Sequence, residues 1–287
     1  MTLVGELVDV GDTRLFVEAK GEGFPVLVLH GGPGLDHHEF ADYLDPLADR
    51  YRLLLVDQRA QGRSEPAARD TWTLTHMSED VSSLARALGL DRYAVLGHSY
   101  GAFVALQHAV DHPADAAATI VSNGLPSVVY MQDLQALLDA FEPVELREQV
   151  SASWAREEEV QTPEEVMEIF VEQLPWHFAD PRDPRIGEYA GLISGMVGSP
   201  DVLRHFAANE YGGIDVEDIL DRVTHPVLVI SGRHDRTCPV AGSEAMAKGL
   251  PDAELVILED SAHMGFVEER EGYLEAVRDF LDRRTGA

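Results

Sequence analysis

The sequence predicts an α/β fold in which a mostly parallel sheet is covered by helices on both faces and interrupted by one helical insertion. Three observations predict it. Short continuous apolar runs, such as residues 25–29 and 52–56, have the character of strands buried on both faces. These runs alternate with longer helical patterns, as parallel strands joined by crossover helices require. The rhythm stops over residues 124–225, where no strong strand is seen and the composition turns helical, acidic and aromatic.

Taken in order, residues 3–10 and 13–19, split by Gly11-Asp12, read as a hairpin that adds antiparallel strands at one edge. Parallel strands are expected at 25–29, 52–56, 93–96, 117–122, 226–231 and 254–258, and helices at 76–88, 99–112, 242–250 and 268–281. The core is therefore assigned to 1–123 and 226–287, with a helical cap at 124–225 and a loop at Pro181-Arg182-Asp183-Pro184 within it. Among the cap aromatics, which mostly hold a small core together, Trp176 is expected to meet the substrate. Function belongs at the carboxyl ends of the parallel strands.

The chain has 287 residues, 45% hydrophobic and 25% charged, which suits one ordered core plus a lid. Its formal charge of −29 comes from 51 acidic against 22 basic residues, and only Lys20 and Lys248 are lysines. Such a surface repels nucleic acid and anionic membranes. Adaptation to high salt and a genomic preference for arginine both account for it. No apolar run is long enough to span a bilayer, and Glu6 and Asp9 interrupt the N-terminal segment, so a cytoplasmic protein without a signal peptide is expected. The single cysteine, Cys238, has no partner for an internal disulfide.

Gly97-His98-Ser99-Tyr100-Gly101 places a serine between a strand-like and a helix-like run, on a turn whose glycines let the two elements approach. A serine hydroxyl needs a base, and a histidine ionises near neutrality. His263, in the loop after the last strand, is the best placed of twelve histidines, and Asp235, just after the strand at 226–231, is the acceptor that fixes its tautomer. Asp260 and Glu259 lie too close to His263 in sequence to face its far nitrogen. Asn123, after the preceding strand, is a neutral amide and cannot be the acid. His30-Gly31-Gly32-Pro33-Gly34 follows a buried strand and supplies close backbone approach: Gly32 and Tyr100 N–H groups are the expected oxyanion hole, with Gly31 against the substrate. Neither a phosphate-binding glycine loop nor a Walker lysine is present, and His30, His37 and His38 lack a metal-ligand spacing. No cofactor or metal is expected.

The order Ser99, Asp235, His263 is that of the α/β-hydrolase superfamily, which the chain resembles over nearly its whole length. Within it, the HGGPG-like His30 to Gly34, the Asp57-Gln58-Arg59-Ala60-Gln61-Gly62-Arg63-Ser64 segment and the serine elbow are similar to the proline iminopeptidase and tricorn-interacting aminopeptidase group. Ala60 stands where a glycine is usual. That resemblance implies acidic residues for the substrate's α-ammonium. Asn209-Glu210-Tyr211 is similar to the segment that carries one of them, making Glu210 an expected amine anchor, whereas Arg236 replaces the second and would repel an ammonium. The expected function is a serine hydrolase cleaving a small ester or amide bond through an acyl-enzyme, foremost as an aminopeptidase of the proline iminopeptidase type that the resemblance implies. A carboxylesterase and a non-catalytic ligand-binding protein remain the alternatives.

Overall fold

The computed structural model describes residues 5–286. Its eight-stranded sheet contains β1 (Glu6–Asp9), β2 (Arg14–Lys20), β3 (Phe24–Leu29), β4 (Tyr51–Val56), β5 (Ala94–His98), β6 (Ala118–Ser122), β7 (Val227–Gly232) and β8 (Ala253–Leu258), in the spatial order β1-β2-β4-β3-β5-β6-β7-β8. β1 and β2 pair antiparallel, β2 joins β4 antiparallel, and all later pairs are parallel. The expected hairpin and parallel strands are therefore present, although its residues 3 and 4 lie outside the described residues. No helix among the described residues is long and apolar enough to cross a membrane.

Period-two alternation splits each central strand between two cores. Leu27 and Leu29 pack on the face covered by α1 (Leu74–Ala87) and α2 (Tyr100–Asp111), while Val26 and Val28 pack with Phe266, Val277 and Phe280 on the other. Both faces are apolar because both are covered. α1 begins two residues before the sequence pattern suggests, because the Thr73 side chain accepts the His76 N–H and caps it there.

The interval expected to form a cap carries α3 (Leu134–Asp139), α4 (Val144–Arg156), α5 (Pro163–His177), α6 (Arg185–Leu192) and α7 (Pro200–Ala207). α5 starts at a capping box in which Thr162 accepts from Glu165 N–H and Glu165 accepts from Thr162 N–H. Leu138, Phe141, Val150 and Trp176 form a small core of the interval's own, while Phe170, Phe178 and Tyr189 merge with the sheet core beneath. Polar contacts fix the same junction. Ser199 N–H donates to Gly34 O at 2.8 Å, Gly62 N–H donates to Ser199 Oγ at 2.9 Å, and Val197 N–H donates to Asp36 at 2.9 Å.

The chain closes with α8 (Val240–Gly249), β8, the short α9 (Gly265–Glu268) and α10 (Arg270–Thr285). The last helical region was expected as one run from residue 268, and instead it breaks at Glu269, whose φ of −125° is not helical. Register places Leu29 beside Gly97, Gly97 beside Val121, Ser122 beside Ile230 and Gly232 beside Leu258. The loops after β3, β5, β7 and β8 therefore open on one edge of the sheet.

Candidate active site

Ser99 stands at the corner between β5 and α2 with φ 54° and ψ −119°, a conformation that costs a non-glycine residue on the order of 1–3 kcal/mol. Its neighbours allow it. A Cβ on Gly97 would lie 2.0 Å from Gly101 O, and one on Gly101 would lie 2.3 Å from Leu29 O, so strand and helix close only over glycine. Ser99 N–H donates to Ser122 O at 2.9 Å, which pins the corner to β6.

His263 and Asp235 meet beside it. His263 Nδ1 lies 2.8 Å from Asp235 Oδ2, which leaves the other ring nitrogen free of that pair, and Ser99 and His263 line the same cavity of about 280 Å³. Asp235 is fully committed: Oδ1 accepts the Thr237 and Cys238 N–H groups, and Oδ2 accepts from Asn123 Nδ2 at 2.8 Å as well as from the imidazole. Burial raises the Asp235 carboxyl, but the charge of His263 and these hydrogen bonds outweigh it, so the group is held below its ordinary value. Burial lowers His263, and Asp235 together with Glu39 and Glu268 outweighs it, leaving the imidazole above its ordinary value. Two further imidazoles, His98 and His177, pack at tilted angles with ring centroids 5.0 Å from that of His263, and burial followed by its charge lowers both, His177 to about 3.

The expected oxyanion donors converge on the same cavity, which both Gly32 and Tyr100 line. Tyr100 N–H is the first of α2 and has no intrahelical acceptor, and Gly32 N–H meets no acceptor among the described residues. The Tyr100 ring points away, buried against Phe206, with its hydroxyl on Met77 Sδ at 3.2 Å. The segment from Asp57 to Ser64 braces this loop. Gln58 Nε2 donates to His30 O at 2.7 Å, Gly34 N–H donates to Gln61 at 2.6 Å, and Asp57 Oδ1 accepts His37 N–H at 2.9 Å. Arg59 is gripped by Asp12 and Asp80, and Ala60 adopts φ 60°, the left-handed conformation that explains the usual glycine.

A sequence profile for the alpha/beta hydrolase fold matches residues 25–270. The chain belongs to that family. This alpha/beta hydrolase is 30% identical over 284 residues to a proline iminopeptidase of Saccharolobus solfataricus, a match that spans 92% of this chain and 86% of the relative. Among solved structures, an alpha/beta fold family hydrolase from Bacillus anthracis str. Sterne superposes with a TM-score of 0.80 at 25% identity, over 96% of this chain and 98% of that one. The proline iminopeptidase of Mycobacterium smegmatis superposes with a TM-score of 0.75 at 25% identity, over 98% of each chain.

On the substrate side, the alpha/beta hydrolase departs from its sequence reading. Glu210 is exposed and does not line the cavity; a tight turn, with Glu210 and Tyr211 at φ of 50° and 51°, brings Tyr211 to the wall instead. Arg236 does not face the cavity either. Its guanidinium donates to the carbonyls of Trp176, Phe178 and Ala179 at the end of α5, where a helix dipole favours a cation, so the expected repulsion of an ammonium does not arise. Trp176 is wholly buried behind the wall, with Nε1 donating to Thr237 Oγ1 at 3.0 Å. Gly31 does lie against Ser99. A Cβ there would be 3.1 Å from Ser99 Cβ and 2.6 Å from Glu39 Oε1.

The acidic groups that do line the cavity are Glu39 and Glu157, which the sequence reading did not single out. Glu39 Oε2 accepts Gly31 N–H at 2.5 Å, while Oε1 accepts no hydrogen bond from any described residue. Burial pushes this carboxyl up to about 7 against the opposing pull of Gly31 N–H and His263. For metal ligation, Asp36, His37 and His38 offer ligand atoms within 4.8 Å of one another, but Asp36 already pairs with Arg63 and His37 Nδ1 with Asp57.

Proposed function

We propose that the protein is a serine hydrolase that releases an N-terminal residue from a short peptide by acyl-enzyme chemistry, in the manner of a proline iminopeptidase. Ser99 Oγ attacks the carbonyl as His263 takes its proton, Asp235 stabilises the imidazolium, and the Gly32 and Tyr100 N–H groups receive the oxyanion. His263 then protonates the leaving amine, and water repeats the sequence on the ester. A cytoplasmic setting belongs to the same proposal.

The observation that carries the peptidase reading is the position of Glu39. Glu39 and Ser99 line the same cavity and both close on Gly31, where a Cβ would lie only 2.6 Å from Glu39 Oε1 and 3.1 Å from Ser99 Cβ, so the carboxyl and the nucleophile are near neighbours. An α-ammonium and the carbonyl it precedes are separated by one carbon, so an ammonium on Glu39 presents the carbonyl to Ser99. A buried carboxylate at that point opposes the developing oxyanion unless the substrate brings a cation.

A fluorophosphonate probe is expected to label the native protein and not Ser99→Ala; equal labelling of both overturns the serine mechanism. Proline p-nitroanilide is expected to be cleaved, with a KM raised ~10-fold or more in Glu39→Gln, while cleavage of p-nitrophenyl butyrate keeps its KM. Fast ester cleavage without any anilide release would make the protein a carboxylesterase, and absence of both activities would favour a binding protein.

A further inference from the structure

We propose that Glu157, with Tyr211, Gln173 and Trp154, forms a second cation subsite on the cap wall of the cavity, one that takes an ammonium or guanidinium group of the substrate remote from the scissile bond. The proposal rests on the peptidase reading only for the nature of the substrate, since the subsite is defined by its own residues.

Glu157 follows α4, is 5% exposed and lines the cavity. Each oxygen is held by a neutral donor: Oε1 accepts from Gln173 Nε2 at 2.7 Å and Oε2 accepts from Tyr211 Oη at 2.5 Å. Among the described residues no Lys, Arg or His pairs with it. Its neighbour Arg156 is turned to Glu172 and Glu168. Asp36 has Arg63, Asp80 has Arg59 and Asp235 has His263, whereas Glu157, like Glu39 and Glu268, has no ion pair among the described residues. A buried carboxylate without one is costly, and burial raises this group above its ordinary value. The cost is offset when a cation enters from the cavity.

The surroundings suit an organic cation. Trp154, Phe170 and Tyr211 line the same cavity, and aromatic faces attract ammonium and guanidinium groups when water is excluded. α5 sets the spacing. His177, packed on His263, and Gln173, bonded to Glu157, are four residues apart on that helix, about 6 Å along its axis. The subsite therefore lies about one helical turn along α5 from the imidazole that packs on His263, a spacing that a basic side chain can span. The substrate class is an aminoacyl amide that carries a second positive charge, as in a lysyl, ornithyl or arginyl residue.

The test is equilibrium binding by calorimetry to the Ser99→Ala protein, which needs no turnover. Lysine amide is expected to bind ~10-fold or more tightly than norleucine amide and than Nε-acetyl-lysine amide, and Glu157→Gln is expected to erase this preference while leaving norleucine amide unaffected. Equal affinity for all three ligands, or an unchanged preference in Glu157→Gln, overturns the subsite. If Glu157→Gln does not fold, the comparison of lysine amide with its acetylated form in the Ser99→Ala protein decides alone. A second pair, hexylammonium and 1-hexanol, carries no α-amino amide. A preference for hexylammonium that is lost in Glu157→Gln and kept in Glu39→Gln upholds the subsite even if no aminoacyl amide binds and the peptidase reading falls. No such preference overturns the subsite.

Discussion

The loop after β7 and the loop after β3 each carry a buried carboxyl beside the cavity, and although burial raises both, their partners leave the two groups shifted in opposite directions. Asp235 is surrounded by donors and an imidazole, so it is held below its ordinary value. Glu39 has one N–H and no ion partner, so it is pushed up to about 7. The difference teaches that position in the core does not set charge state; the partner does. A carboxylate that the fold needs has its partner built in. One that is left short of a partner is a place where a ligand can supply it.

The largest effect is expected at the paired group. Asp235→Asn should lower kcat/KM by roughly 10³–10⁴-fold, because the amide holds the wrong imidazole tautomer and offers no charge to the imidazolium. Stopped-flow labelling of Ser99 by a fluorophosphonate, with thermal unfolding as the folding control, checks this; a loss under 10-fold would break the pairing argument.

The unpaired group is expected to behave oppositely in stability. The native Glu39 carboxyl holds its proton to about pH 7, whereas the unfolded chain loses it near 4.5, so its contribution is fully favourable below 4.5 and declines as pH rises through 7. Glu39→Gln removes that decline and should stabilise the fold at pH 8 by up to about 3 kcal/mol, with little change at pH 4. Urea midpoints of both proteins at the two pH values measure it. A variant less stable at pH 8 than the parent would show Glu39 to be a structural group like Asp235. The smallest effect belongs to Glu210→Gln. An exposed side chain away from the cavity should leave the anilide KM unchanged and stability within about 0.5 kcal/mol, and a rise in KM would return the amine to that residue.

What could be read from sequence was whatever is encoded locally. Apolar runs such as Val26 to Leu29 announce a strand buried on both faces, and the serine elbow announces its turn by two glycines whose Cβ atoms would strike neighbouring backbone. The positions of Asp235 and His263 follow from strand order, because each comes just after a strand that ends at the same edge. Glu39 and Glu157 were not legible. They are two of 51 acidic residues, distinguished only by lost solvent and by cations that sit elsewhere, and neither property has a sequence signature. Arg236 was misread for the same reason: its partners are carbonyls at the end of a helix some 60 residues earlier. Asn123, set aside as a neutral amide, proves useful as one, since it donates to both Asp235 and Ala262 O.

Ser199 gives the insertion a role in the history of such a chain. It belongs to the 124–225 interval, yet its N–H donates to Gly34 O and its hydroxyl accepts Gly62 N–H, which ties that interval to the loops that carry Gly32 and Asp57. Exchange of the cap between relatives is therefore not free shuffling of a module. A recombinant that takes a new 124–225 segment keeps the geometry of these loops only if that segment brings an equivalent bolt, whereas drift among the outward residues of α4 and α6, which do not line the cavity, leaves them in place.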